Sequence, residues 1–318
     1  MKINRNKAIN AFIKLSCLFV FSCFLLSCNS KKKYLDSTLD IMEEHALYSN
    51  KIDWDKIKED SYKQLTHANN IEDVHAIIKE SFRYLKDDGH SFLMSVNKHK
   101  AMGTSESSIP VIKSELLNDN IGYIKIPGFV GTPKMAHDFA KELQEGIKIL
   151  DRSSLNGWIV DLSENTGGNM WPMILGISPI LEDGTYGYFL DSKENIVPWS
   201  CKDGQVYIGD NSLLKLEDPY IVQNENKKIA VITGKRTASS GEATLVSFIG
   251  KKDTKLFGLA TAGFTTGNQS FILRDGAQLY LTTTVFVDRN KKSYGNDIKP
   301  DIATFKPIED AMVWIMNQ

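Results

Sequence analysis

Cysteine is scarce in this chain, and its placement makes it scarcer. Three of the four, Cys17, Cys23 and Cys28, fall within the first 28 residues, and only Cys201 lies beyond them. A single cysteine in the body of the chain excludes an internal disulfide framework and a zinc site built on thiolates. An excess of charge of one sign is also missing, since 38 Lys and Arg stand against 39 Asp and Glu. That balance gives no basic field for nucleic acid, and no nucleic-acid partner is expected. With 22 glycines and 9 prolines in 318 residues, collagen-like and low-complexity chains are excluded. No apolar run reaches the ~20 residues that a membrane-spanning helix needs.

The nearest to one is the run from Leu15 to Leu26, preceded by Lys2, Arg5, Lys7 and Lys14. A basic stretch followed by a short apolar stretch is the pattern of a secretory signal. The run closes on Leu25-Leu26-Ser27-Cys28, which resembles the bacterial lipobox. That resemblance implies cleavage after residue 27, lipid on Cys28, and a protein held on a membrane of the bacterial cell envelope, outside the cytoplasm. Removal of residues 1–27 takes away four basic groups and no acids. The mature chain then has 291 residues and a net charge of -5.

What remains divides by pattern at a polar stretch from Lys98 to Ser108. Residues 28–100 read as an N-terminal helical bundle. Leu35, Leu39, Met42 and Ala46 are spaced for one helix face, a second helix starts at Asp53, and a third carries Val74, Ile77, Ile78, Phe82 and Leu85. The pattern breaks at Asp87-Asp88-Gly89-His90. Residues 101–318 alternate strands and helices, which argues an α/β core. Strands are predicted at Ile121–Ile126, Trp158–Leu162 and Ile229–Thr233, with helices over Pro133–Leu150, from Met170, over Ser239–Gly250 and over Pro307–Met316. A hairpin is predicted around Asp275-Gly276. Residues 183–227 are turn-rich and read as a hairpin or flap.

Three segments place polar residues beside glycine at the ends of elements, where α/β proteins build sites. In Arg236-Thr237-Ala238-Ser239-Ser240-Gly241-Glu242 a serine opens a helix, where backbone N–H groups can steady an oxyanion. Ser239-x-x-Glu242 fits a capping box equally well. In Asp161 to Asn169, the paired Gly167 and Gly168 can aim further N–H groups into a cavity, or make a plain turn. The third segment is Gly89-His90-Ser91. A serine nucleophile needs a base, usually histidine, and of the six histidines only His90 lies at a glycine-marked break.

Taken together the three segments resemble the carboxyl-terminal processing, or tail-specific, serine peptidases. Asp161 to Gly168 is similar to that family's Asp-Leu-Arg-x-Asn-x-Gly-Gly segment, with Ser163 in place of arginine. Thr237 to Glu242 is similar to its Thr-Ala-Ser-Ala-Ser-Glu segment, and Gly295 to Asp301 to its approach to a Pro-Asp pair. The resemblance implies a crotonase-like (ClpP/crotonase) core with Ser239 as nucleophile, though Ser240 stands beside it as an alternative.

Two departures define the branch. Where lysine-using members place their base, this chain has Phe264. The interval between His90 and Ile121 is about 30 residues, too short for a PDZ domain. The histidine-using branch, which includes tricorn core proteases and nisin-resistance proteins, fits both. It implies His90 as base, and an oxyanion held by the backbone of Ser240 and of Gly167 or Gly168. No third catalytic acid is assigned, because Tyr294 stands where the tricorn type has glutamate. The chemistry requires neither metal nor organic cofactor. The expected partners are a peptide or unfolded protein substrate and the membrane reached through Cys28. Two rival readings stay open: an inactive relative that binds peptides, and a crotonase-fold hydrolase of a non-peptide substrate.

Overall fold

The computed structural model describes residues 30–86, 89–97, 109–223 and 227–317. Residues 1–27 and Cys28, Asp87 and Asp88, and the boundary stretch 98–108 lie outside the described residues. The chain divides into two compact units.

The first unit contains three helices, over residues 30–45, Trp54–Leu65 and Ile71–Ser81. Asp53 caps the second by accepting the N–H of Lys56 at 3.0 Å. Asn70 and Asp73 cap the third reciprocally, each side chain accepting the other's backbone N–H. The predicted faces point inward: Leu35, Leu39, Met42, Ile57, Val74 and Ile78 are buried. The helices do not close this core alone. Residues Ser270–Leu281, from the far end of the chain, belong to the same unit. They contribute Leu273, Ala277, Leu279 and Leu281 to the apolar cluster. A short strand β1 (Phe92–Met94) pairs antiparallel with Gln278–Tyr280. A polar tie reinforces this arrangement. The Tyr34 hydroxyl donates to Asp275 at 2.8 Å, and His75 Nε2 lies 2.9 Å from the same carboxylate.

The second unit is built on two sheets. The strands of one are β2 (Lys113–Leu117), β3 (Ile121–Lys125), β4 (Gly157–Asp161), β9 (Lys228–Thr233), β10 (Thr254–Gly258) and β13 (Ile302–Ala303), in the order β13-β10-β9-β4-β3-β2. All neighbours are parallel except the edge pair β2 and β3. Strand alternation sends side chains to opposite faces. Ile121, Tyr123, Ile159, Ala230 and Ile232 pack under the closing helix Pro307–Met316. Ile124, Trp158, Val160, Ile229 and Val231 face the other way, into the larger core. The helix Pro133–Leu150 lies on that side, opened by Thr132 as cap and proline in its first turn. The next helix, Met170–Leu181, is buried at every position except Trp171, which suits a helix apolar all round.

The other sheet accounts for the segment read as a hairpin or flap. It is a meander of β5 (Gly184–Asp191), β6 (Ile196–Lys202), β7 (Gln205–Ile208) and β8 (Asn211–Lys215). Within this unit β5 pairs with residues 284–288 of β12 (Gln278–Asp288), whose hairpin partner is β11 (Thr266–Ile272). Tyr186, Trp199, Cys201 and Val206 of the meander are buried in the core that holds the Met170–Leu181 helix. Hairpins are present, and their inner face is structural core. Four strands went unpredicted: β1, β2, β10 and β13. Each is short, and β2 and β10 carry exposed lysines that blur the apolar pattern. The helix after Ser239 is shorter than predicted, spanning Ser240–Val246.

Candidate active site

The site residues of the second unit arise where β4 and β9 end side by side. After β9, Thr237 folds the chain back. Its hydroxyl accepts the N–H of Gly234 at 3.0 Å and donates to Leu162 O, after β4, at 2.8 Å. This locks two loops from neighbouring strands. Two residues on, Ser239 adopts φ 51° and ψ -118°. A side chain at positive φ is strained by about 1–3 kcal/mol, and such strain collects at functional sites. The conformation makes a sharp strand-to-helix corner with Ser239 at its apex.

The loop after β4 is organised by Asn165, which is fully buried. Its amide donates to Ile126 O and Pro127 O at 3.2 and 3.3 Å. Its Oδ1 accepts the N–H of Gly167 at 2.9 Å, and its carbonyl accepts the N–H of Ala238 at 3.0 Å. Gly167 (φ 96°) is pressed against the serine corner: a Cβ there would sit 3.0 Å from the Cβ of Ser239. Gly168 (φ 113°) has no room for a Cβ, which would lie 2.0 Å from Phe129 O.

Gly168 is also paired with Phe129 in a parallel bridge. The N–H of Phe129 donates to Gly167 O at 3.0 Å, and that of Asn169 to Phe129 O at 2.7 Å. In such a pair the neighbours of Gly168 make the bonds, so its own N–H and C=O face away from Phe129. The carbonyl meets the hydroxyl of Ser240, which donates to it at 2.6 Å. Among the described residues, the N–H groups of Gly168 and Ser240 have no protein acceptor. The Gly167 N–H is spent on Asn165, which leaves Gly168 as the glycine able to donate.

Behind the corner lies Glu242, fully buried. Its carboxylate accepts the N–H of Ser239 and that of Gly263, each at 2.9 Å, and the hydroxyl of Thr261. Burial raises its pKa, and the hydrogen bonds from Thr261, Gly263, Ser239 and Phe264 pull back against that rise. The strapped loop 261–264 is the one that the sequence resemblance sets against the lysine-bearing stretch of lysine-using peptidases. A further bond holds it, from the N–H of Ala262 to Thr237 O at 2.9 Å. Its residue 264 is phenylalanine, so that loop brings no base.

The structure therefore brings Ser239, Ser240, Gly167 and Gly168 together. His90 lies in the first unit, half-buried, between Gly89 (φ 81°) and the buried Ser91, just before β1. Cys28 lies outside the described residues. Among the described residues no three His, Cys, Asp or Glu side chains are grouped to hold a metal ion. Sequence reasoning passed over the organising roles of Asn165 and Thr237. The available signal for Asn165 was an Asx residue two positions before a glycine that needs positive φ.

Residues 120–304 match peptidase family S41, and the chain belongs to that family. It is 31% identical over 296 residues to the nisin-resistance protein of Lactococcus lactis subsp. lactis, covering 91% of this chain and 88% of that one. It is 26% identical over 209 residues to the carboxy-terminal processing protease CtpA of Bacillus subtilis (strain 168), covering 65% of this chain and 40% of that one. Among solved structures, a lipoprotein from Streptococcus agalactiae superposes with a TM-score of 0.73 at 30% identity, over 90% of this chain and 96% of that chain. The photosystem II D1 C-terminal processing protease superposes with a TM-score of 0.62 over 86% of this chain and 93% of that chain. At 13% identity that second likeness is one of fold alone.

Proposed function

We propose that this chain is a serine endopeptidase with a crotonase-like core, made with a signal peptide over residues 1–27 and anchored outside the cytoplasm by lipid on Cys28. Ser239 is the nucleophile in this reading. Its hydroxyl attacks the scissile carbonyl while His90 takes the proton. The carbonyl oxygen becomes an oxyanion held by the N–H groups of Gly168 and Ser240. Collapse of the intermediate expels the amine, which receives the proton from His90, and leaves an acyl group on Ser239. Water, deprotonated by the same histidine, then releases the acid.

The observation that carries the reading is the backbone of Ser239, strained at φ 51° and pressed on the paired glycines of a family S41 chain. Phe264 at the lysine position supports a histidine base, and His90 is the histidine at a glycine break. The lipobox at Leu25 to Cys28 supports the anchor, and the similar Streptococcus agalactiae structure is described as a lipoprotein. The name of the Lactococcus relative makes nisin the first substrate to try.

The test uses purified residues 29–318 with nisin and with unstructured peptides, beside Ser239→Ala and His90→Ala. Cleavage by the parent chain and background rates in both variants are expected. Equal rates in all three would overturn the proposal.

A further inference from the structure

We infer that the Ser240 hydroxyl is a positioning group that sets the spacing of the two oxyanion donors. The inference rests on the reading of Ser239 as nucleophile, and assigns its neighbour a different task.

Four observations converge on it. The bridge between Phe129 and Gly168 turns both the N–H and the C=O of Gly168 towards the serine corner. The carbonyl there is bonded by Ser240 Oγ at 2.6 Å. The same peptide group is held from its other side, where the N–H of Asn169 donates to Phe129 O at 2.7 Å. Ser240 also carries the second N–H, on the residue following the strained Ser239. One side-chain hydrogen bond thus ties the residue bearing one donor to the residue bearing the other, across 72 positions of sequence.

The bond has an electrostatic consequence as well. Without it, the negative end of the Gly168 carbonyl would face the corner where an oxyanion forms. A hydroxyl donating to that carbonyl removes much of its repulsion, and fixed dipoles are what stabilise developing charge. Since Ser240 Oγ gives its proton to Gly168 O, it is not the group awaiting a base.

The experiment measures kcat and KM for peptide cleavage by residues 29–318 and by Ser240→Ala, Ser240→Thr and Ser239→Ala. Inhibition by a peptide boronate, which mimics the tetrahedral intermediate, is measured in parallel. For Ser240→Ala, kcat should fall about tenfold with KM within about twofold, and boronate affinity should fall by a similar factor. Ser240→Thr keeps a hydroxyl and should recover to within about threefold of the parent. Thermal melting of each variant guards against misfolding. An unchanged kcat in Ser240→Ala, or a loss carried by KM with boronate affinity intact, would overturn the positioning role while leaving Ser239 as nucleophile. Activity retained in Ser239→Ala and abolished in Ser240→Ala would overturn both readings.

Discussion

The backbone N–H of Ser239 ends on the carboxylate of Glu242, 2.9 Å away and fully buried. The same carboxylate takes the N–H of Gly263 and the hydroxyl of Thr261. One side chain thereby secures the strained corner and the loop 261–264 behind it. Among the described residues no cation pairs with it, so donated hydrogen bonds alone steady its charge.

Glu242→Gln should therefore weaken both folding and activity. The amide NH2 meets donors where the carboxylate accepts, so at least one of Ser239, Gly263 and Thr261 is left without an acceptor. A buried unsatisfied donor costs about 1–3 kcal/mol. Urea denaturation should show a loss of that size, and cleavage rates should drop about tenfold or more as Ser239 shifts.

The same residue gives a pH signature. Burial raises its carboxyl above the ordinary 4.5, so the folded chain binds that proton more tightly than the unfolded chain. The resulting stabilisation is complete below pH 4.5 and is lost as pH rises through the folded value. The stability advantage of the parent over Glu242→Gln should narrow as pH is raised across this range. An advantage that widens with pH would contradict the assignment.

Trp199 tests whether the meander is core. The ring is fully buried, with centroids of Phe189 and Phe286 at 4.7 and 5.8 Å, and its Nε1 donates to Ser247 Oγ at 3.2 Å. Trp199→Ala should cost about 3–5 kcal/mol by equilibrium unfolding. A loss below about 1 kcal/mol would mark the segment as a detachable flap.

Asp275 tests the polar tie in the first unit. Its carboxylate serves Tyr34, His75 and the N–H of Ala277. Burial works to raise its pKa, but these partners outweigh it and hold the group below the ordinary 3.8. Its contribution is present above that value and is lost as pH falls through the lower, folded one. Asp275→Ala should destabilise the first unit by about 1–3 kcal/mol. Hydrogen exchange should quicken in helices 30–45 and Ile71–Ser81, while amides of β4 and β9 keep their protection.

Much of this architecture was legible because local signals agreed. Helix Pro133–Leu150 falls where predicted, since a capping Thr132, an opening proline and an apolar period of 3–4 coincide. The buried runs of β4 and β9 announce parallel strands covered on both faces. The serine and glycine segments were legible as motifs. Long-range pairing was not. Nothing local in Phe92–Met94 signals that its partner is Gln278–Tyr280, some 180 residues later. The choice between Gly167 and Gly168 was also hidden, because it depends on where the Asn165 side chain points.

The most direct test of the serine assignment is covalent. Purified residues 29–318 are treated with a fluorophosphonate, and the modified residue is located by peptide mass spectrometry while cleavage of a peptide substrate is followed. Modification of Ser239 alone, with cleavage lost in proportion to labelling and no labelling of Ser239→Ala, is the expected result. Modification at Ser240, or undiminished cleavage by Ser239→Ala, would contradict it.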